Sequence, residues 1–233
     1  RPKKEALFID LIRELDQLDS IRRFRISSIE PNLCTDEVIE FVAGSNHFVP
    51  HFHMPLQSGN NKQLKMMRRR YKRELYEERV KNIKAIMPHA CIGVDVIVGF
   101  PGETDEDFQE TFNFLHSMDI SYLHVFTYSE RPNTPAAEME GVVPVHVRRQ
   151  RNEILRGLSD KKRRYFYEQF TGQTREVLLE QAKEEGMLSG FTENYIKVSL
   201  PGNAENVNHV TKLYLDHVNE DGVMIAQWAE HRE

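Results

Sequence analysis

The sequence predicts an α/β protein in which a parallel (β/α) sheet or barrel, incomplete on one side, precedes a small antiparallel β-barrel. Three observations carry this. Apolar, β-branched runs at Phe24 to Ile29, Phe48 to Leu56, Ile92 to Phe100 and Tyr122 to Tyr128 are each followed by a segment of helical period. After Phe170 the helical period ends, and five short strand-like runs follow, divided by turn residues. The chain also opens on a helical pattern, through Ala6, Leu7, Ile9, Leu11, Ile12, Leu15 and Leu18, with no strand before it. A β/α array does not start on a helix, so the expectation is a fragment whose earlier β/α units are missing.

The helices are predicted at Thr35 to Ala43, Asn60 to Met87, Thr104 to Met118 and Val145 to about Phe170. Leu64, Met67, Leu75, Val80, Ile83 and Ile86 form the inner face of the second of these. The third strand is the most telling. Val94 to Val98 suits a strand covered on both faces, and Gly99 and Gly102 then allow positive φ or the close approach of a ligand. Thr104 with Asp105, Glu106 and Asp107 reads as an N-cap with acids in the first helical turn. The late strands are expected at Thr174 to Gln181, Met187 to Thr192, Tyr195 to Leu200, Thr211 to Val218 and Val223 to Trp228. Residues 1–170 and 171–233 are the two expected domains.

Composition bounds the class. The 233 residues are 39% hydrophobic and 29% charged, no apolar run approaches the ~18 residues of a membrane helix, and a cytoplasmic location is the default. Cys34 and Cys91 stand alone in their segments, which supports neither a disulfide framework nor a zinc site, and each reads as a small core hydrophobe. The net charge of −5 is uneven: from Gly172 onward five Lys and Arg face eleven Asp and Glu, a net of −6. Basic residues gather at Lys62, Lys65, Arg68, Arg69, Arg70, Lys72 and Arg73, and again from Arg148 and Arg149 to Arg163 and Arg164. They read as phosphate contacts or as solvated helix faces.

In a parallel barrel the site lies at the carboxyl ends of the strands. Here those ends carry Glu30, then Gln57 and Ser58, then Gly99 and Glu103, then Tyr128 and Arg131. Carboxylate, amide and hydroxyl suit ligand hydroxyls, and Arg131 offers a planar fork for a carboxylate or phosphate. No Ser/His/Asp arrangement is legible, and the ten histidines show no metal-ligand spacing on a helix. His51 and His53 fall on one strand face, a pair that can bind a metal but is more commonly part of a buried or rim network. No metal site is assigned to this chain.

Together His53-Met54-Pro55-Leu56-Gln57-Ser58-Gly59, Met67 to Tyr71, Asp95 to Thr104 and Tyr128 to Ala136 resemble the motifs of the radical S-adenosylmethionine methylthiotransferases, in order and spacing. The resemblance covers nearly the whole chain and makes the fold an incomplete radical SAM barrel followed by a TRAM domain. The run Tyr122-Leu123-His124-Val125-Phe126 is most similar to the subgroup that methylthiolates N6-threonylcarbamoyladenosine in tRNA. Enzymes acting on isopentenyladenosine or on a ribosomal protein are close relatives.

The resemblance implies S-adenosylmethionine and two 4Fe-4S clusters as cofactors and tRNA as partner, and it names no sulfur or electron donor. It places Ile97 to Glu103, and backbone groups of Val125, Phe126 and Tyr128, along the adenine. Glu30, Gln57 and Ser58 then approach the ribose or amino-acid part, beside Arg131. For tRNA it leaves Arg68, Arg69, Arg70, Lys72, Arg148, Arg149, Arg163 and Arg164. The chain departs from the family in one large respect, because it holds no Cys-x-x-x-Cys-x-x-Cys loop, and thiolates are what hold such clusters. Alone it is expected to be inactive. Asn133 stands where the family usually has Gly, and Asn tolerates the left-handed conformation next best. Two other readings compete: a non-catalytic RNA-binding module, and a cofactor-free aldolase-like barrel, against which stand the missing strands and the absence of a strand-borne Lys.

Overall fold

A computed structural model describes residues 7–229. Ala6 of the predicted first helix, the basic amino end and His231 lie outside them. The elements run α1 (Phe8–Leu15), β1 (Phe24–Ile26), α2 (Asp36–Gly44), β2 (Phe48–His53), α3 (Asn61–Met66), α4 (Arg73–Ile86), β3 (Cys91–Val98), α5 (Asp105–Ser117), β4 (Tyr122–Thr127) and α6 (Val145–Glu168). Then come β5 (Thr174–Gln181), β6 (Met187–Thr192), β7 (Lys197–Pro201), β8 (Val210–Val218) and β9 (Met224–Trp228). Short 3-10 turns occupy Pro135–Glu138 and Ala204–Asn206.

Strands β1 to β4 pair in parallel in sequence order. Each crossover lays helices on one face, where Phe52, Val94, Val96, Val98, Tyr76, Ile83, Leu115 and Leu155 make a core. Among the described residues the sheet has four strands and does not close. Its other face carries His51, His53, Asp95, Ile97, Tyr122, His124 and Phe126, as the period of two requires. The strand bodies are shorter than the apolar runs: Ile29, Leu56, Phe100 and Tyr128 lie past the ladders. Leu56 and Gln57 still donate to the Asp95 carbonyl, and Gln57 forms an isolated bridge to Val96.

The single helix predicted from Asn60 to Met87 is two. Between α3 and α4 the chain breaks at Arg68, whose φ is 55°. Tyr71 is buried there, its hydroxyl donating to the carbonyls of Pro55 and Leu56, while the Asn61 side chain accepts from the Arg73 N–H and starts the next helix. Those tertiary bonds outweigh helical continuity. On α1 only Ile9 and Ile12 of the predicted apolar face are buried, and Leu7 and Leu11 are exposed.

The carboxy-terminal strands close into a barrel in the order β5-β6-β7-β9-β8. It departs from a purely antiparallel arrangement, since β7 and β9 pair in parallel. Its core of Val177, Leu179, Val198, Leu200, Leu213 and Met224 continues into Phe166, Tyr167 and Phe170 at the end of α6 and into Tyr122 and Cys91 of the sheet.

Candidate functional site

The β3 loop is built around one carboxylate. Glu103 accepts from the Gly99 N–H at 2.8 Å and pairs with Arg151 of α6 at 2.6 Å, both side chains being buried. Burial pushes the Glu103 carboxyl above its ordinary range, against the pull of the Gly99 amide and Arg151. Gly99 has a φ of 76°, and a Cβ there would lie 2.3 Å from Arg148 Cγ, so the position excludes side chains on both counts. Thr104 caps α5, as the sequence predicts, and Asp107 answers with a bond to the Thr104 N–H that makes the cap reciprocal. Asp107 also takes Lys62 at 2.7 Å and Gln63 at 3.2 Å, tying α5 to α3.

The other strand ends gather around this loop. Gln57 is buried with a φ of 73°, and its carbonyl accepts from Ile97 N–H. Ser58 is buried, its hydroxyl bonded to Thr111 and accepting from the Asn60 N–H, so it faces the core and not the strand ends. Glu30 pairs with Arg69 at 3.3 Å, linking the end of β1 to the helix break. Ile97 and Phe126 are register partners, and Phe126 is 51% exposed. The Val125 carbonyl accepts from Asn152. A cavity of about 270 Å³ is lined by Met67, Arg69, Ile97, Phe100, Tyr128 and Ala136. Arg131 is exposed beyond it.

The two arginine clusters divide sharply by environment. Arg68, Arg70 and Lys72 are exposed in the break between α3 and α4, and Arg149 is exposed on α6. Arg148 is a correction to the sequence reading: it is buried, donating to the carbonyls of Val143 and Tyr128 at 2.7 and 2.8 Å and pairing with Glu130 at 2.5 Å. It holds the β4 loop and presents no charge to a phosphate. Arg163 pairs with Asp160 within α6, whereas Arg164 donates to the carbonyls of Val218, Asn219 and Glu220 and so braces the small barrel. Arg148 and Arg151, three apart on α6, were legible only as charges; nothing local marks them as clamps for two loops.

On the open face His51 and His53 do share a side of β2, but they part company. His51 bonds the Tyr122 hydroxyl at 3.0 Å and is buried; burial first, then Arg25, His53 and His124, push its imidazole down to about 3. His53 turns to Asp95 of β3 at 2.8 Å.

Iron-sulfur ligation does not fit: Cys34 and Cys91 are free and buried, and burial pushes both thiols up to about 12, which keeps them protonated. An adenine suits the chemistry better, since Ile97 lines the cavity and stands in register with the exposed Phe126.

The family model described as "Radical SAM superfamily" matches residues 1–115. The threonylcarbamoyladenosine tRNA methylthiotransferase MtaB of Bacillus subtilis is 42% identical over 215 residues, covering 90% of this chain and 48% of that protein. Its counterpart in Aquifex aeolicus is 42% identical over 195 residues, covering 84% and 46%. The tRNA-2-methylthio-N(6)-dimethylallyladenosine synthase of Desulfitobacterium hafniense is 34% identical over 214 residues, covering 91% and 48%. The chain thus spans about half the length of the curated relatives it matches. Among solved structures, coproporphyrinogen III oxidase (HemN) from Escherichia coli, described as a radical SAM enzyme, superposes with a TM-score of 0.51 at 14% identity, covering 79% of this chain and 50% of that one, a likeness of fold.

Proposed function

The chain belongs to the radical S-adenosylmethionine methylthiotransferase family, and from that membership we propose that it forms part of a tRNA-modifying enzyme that places a methylthio group on C2 of N6-threonylcarbamoyladenosine. The observation that carries the choice of nucleoside is the 42% identity to two threonylcarbamoyladenosine enzymes over 215 and 195 residues, against 34%, 36% and 40% to three dimethylallyladenosine enzymes over 214, 230 and 184 residues. Its location in this proposal is the cytoplasm, where tRNA is; among the described residues no helix is long and apolar enough to cross a membrane.

In this reading S-adenosylmethionine, when bound, supplies the radical-forming and methyl groups. Ile97 and Phe126 hold its adenine by apolar contact, with Tyr128 and the Gly99–Glu103 loop behind. The buried Glu103–Arg151 pair keeps that loop in shape and does not touch the ligand. Glu30, Gln57 and Arg131 face the polar part of the cofactor, and Ser58 acts only by positioning Asn60. For tRNA phosphates the proposal narrows to Arg68, Arg70, Lys72 and Arg149, the exposed members of the two clusters. The small β-barrel is read as a TRAM domain, supported by its strand count and its position after α6. The reaction also needs iron-sulfur clusters that the cysteines of this chain do not fit, so these 233 residues alone are inactive in this reading.

Nucleoside mass spectrometry tests the assignment. Disrupting the gene that encodes this chain abolishes 2-methylthio-N6-threonylcarbamoyladenosine in bulk tRNA and leaves the unmodified parent nucleoside. Loss of the methylthiolated isopentenyladenosine instead, with the threonylcarbamoyl product intact, would overturn it.

A further inference from the structure

Three neighbouring strands aim nitrogen and oxygen ligands at one point on the open face of the sheet. His53 Nε2 of β2 lies 2.8 Å from Asp95 Oδ1 of β3, and His124 Nδ1 of β4 lies 3.5 Å from the same oxygen. The three ligand atoms all lie within 4.8 Å of one another. Ligands held at ~2.0–2.1 Å in a tetrahedron are ~3.3 Å apart, so small side-chain rotations suffice to place all three on one ion. We propose that His53, Asp95 and His124 form a binding site for a divalent first-row transition ion such as Zn²⁺. The proposal rests on this geometry and not on methylthiolation.

The arrangement differs from an ordinary hydrogen-bonded network. His53 has a good bond to Asp95, whereas His124 stands too far from that oxygen for one. Strand register puts it there instead: Asp95 and His124 are direct partners between β3 and β4, and the Tyr122 ring packs beside the imidazole at 5.1 Å between centroids. All three ligands stand on hydrogen-bonded strands, which hold a site more tightly than loops do. The carbonyl of Asp95 accepts from both Leu56 and Gln57, fixing the backbone that carries the central carboxylate. Two imidazoles with one carboxylate leave further coordination positions open, the donor set typical of zinc and non-haem iron(II). Access exists, because His124 is half-exposed and borders a cavity of about 280 Å³ beside Tyr195 and Lys197. The site escapes sequence inspection since its ligands, 42 and 29 positions apart, meet only through parallel register.

The test is calorimetric titration of the chelator-treated 233-residue chain with Zn²⁺, and with Co²⁺ read by its visible d–d absorption. One equivalent is expected to bind, and both Asp95→Asn and His124→Ala weaken it at least about tenfold, since loss of an outer-shell partner alone costs ~10–100-fold. His124 lies on the free edge strand and is half-exposed, so its replacement leaves the fold intact, as far-ultraviolet circular dichroism will verify. His217→Ala, which removes an exposed histidine beside Asp216 on the small barrel, binds like the parent. Absence of stoichiometric binding, binding unaffected by either site variant, or binding lost with His217 would overturn the proposal.

Discussion

His51 ties the sheet to the small barrel through a single neutral imidazole. It is 3% exposed, bonded to the Tyr122 hydroxyl and packed 4.3 Å from the Tyr195 ring. Its folded value of about 3 lies below the ~6.5 of an unfolded histidine, so between these the unfolded chain binds more protons and stability falls as pH falls. Replacing His51 by Gln removes that contribution. In urea melts the parent's advantage over the variant shrinks steadily from about pH 6.5 downward; a difference that stays constant across this window would contradict the neutral assignment. Gly93 belongs to the same assembly, because a Cβ there would lie 2.3 Å from the Tyr122 ring. Neither fate is visible locally: a His in an apolar strand and a Gly within it name no partner.

Helix α5 shows the opposite balance. Its cap and its acidic first turn follow from four consecutive residues and were legible from them, and the Asp107 side chain makes the cap reciprocal. What the pattern could not contain is that Asp107 also binds Lys62 and Gln63. Burial pushes its carboxyl up, but the bonds from Lys62, the Thr104 N–H and Gln63 prevail and hold it below the ordinary range. A depressed folded value stabilises above the unfolded value of ~3.9 and is lost as pH falls through the folded one. Asp107→Asn therefore costs about 1–2 kcal/mol at pH 7, measured by urea unfolding, and the cost disappears in strong acid. The split between α3 and α4 escapes the sequence for a related reason. Residues 67–72 carry no Pro or Gly, and the break follows from Tyr71 reaching the carbonyls after β2.

At the scale of the molecule, the small barrel is seated on the sheet and does not hang from α6. Tyr195, at a φ of 66°, stacks on Phe191 and lies beneath the Arg25 guanidinium at 4.2 Å. Asn194 donates to the His89 carbonyl, and Glu176 pairs with Arg22 and Arg23. Tyr195→Asn keeps a residue tolerant of positive φ while removing the ring. It is expected to destabilise the protein by about 2 kcal/mol and to raise hydrogen exchange both at the β6–β7 turn and along β1 and β2. Changes confined to the small barrel would show that the two parts do not share this contact. The shared seat also explains why Arg164, legible only as positive charge, is committed to bracing, while Arg163 is spent on Asp160 within α6.

Periodicity alone determined that four parallel strands alternate with helices and that a second group of short strands follows α6. Those features depend on side chains two, three or four positions apart, and such spacing is written in the chain. The motifs at the strand ends carried the family resemblance that 42% identity to two relatives bears out. Tertiary structure decided which charges are free and which are spent: Arg148 inside, Arg149 outside, Ser58 turned to the core. It also decided the meeting of His53, Asp95 and His124. These outcomes depend on register between distant strands and on which donor reaches a buried acceptor first, quantities set by closure of the whole fold and carried by no local pattern.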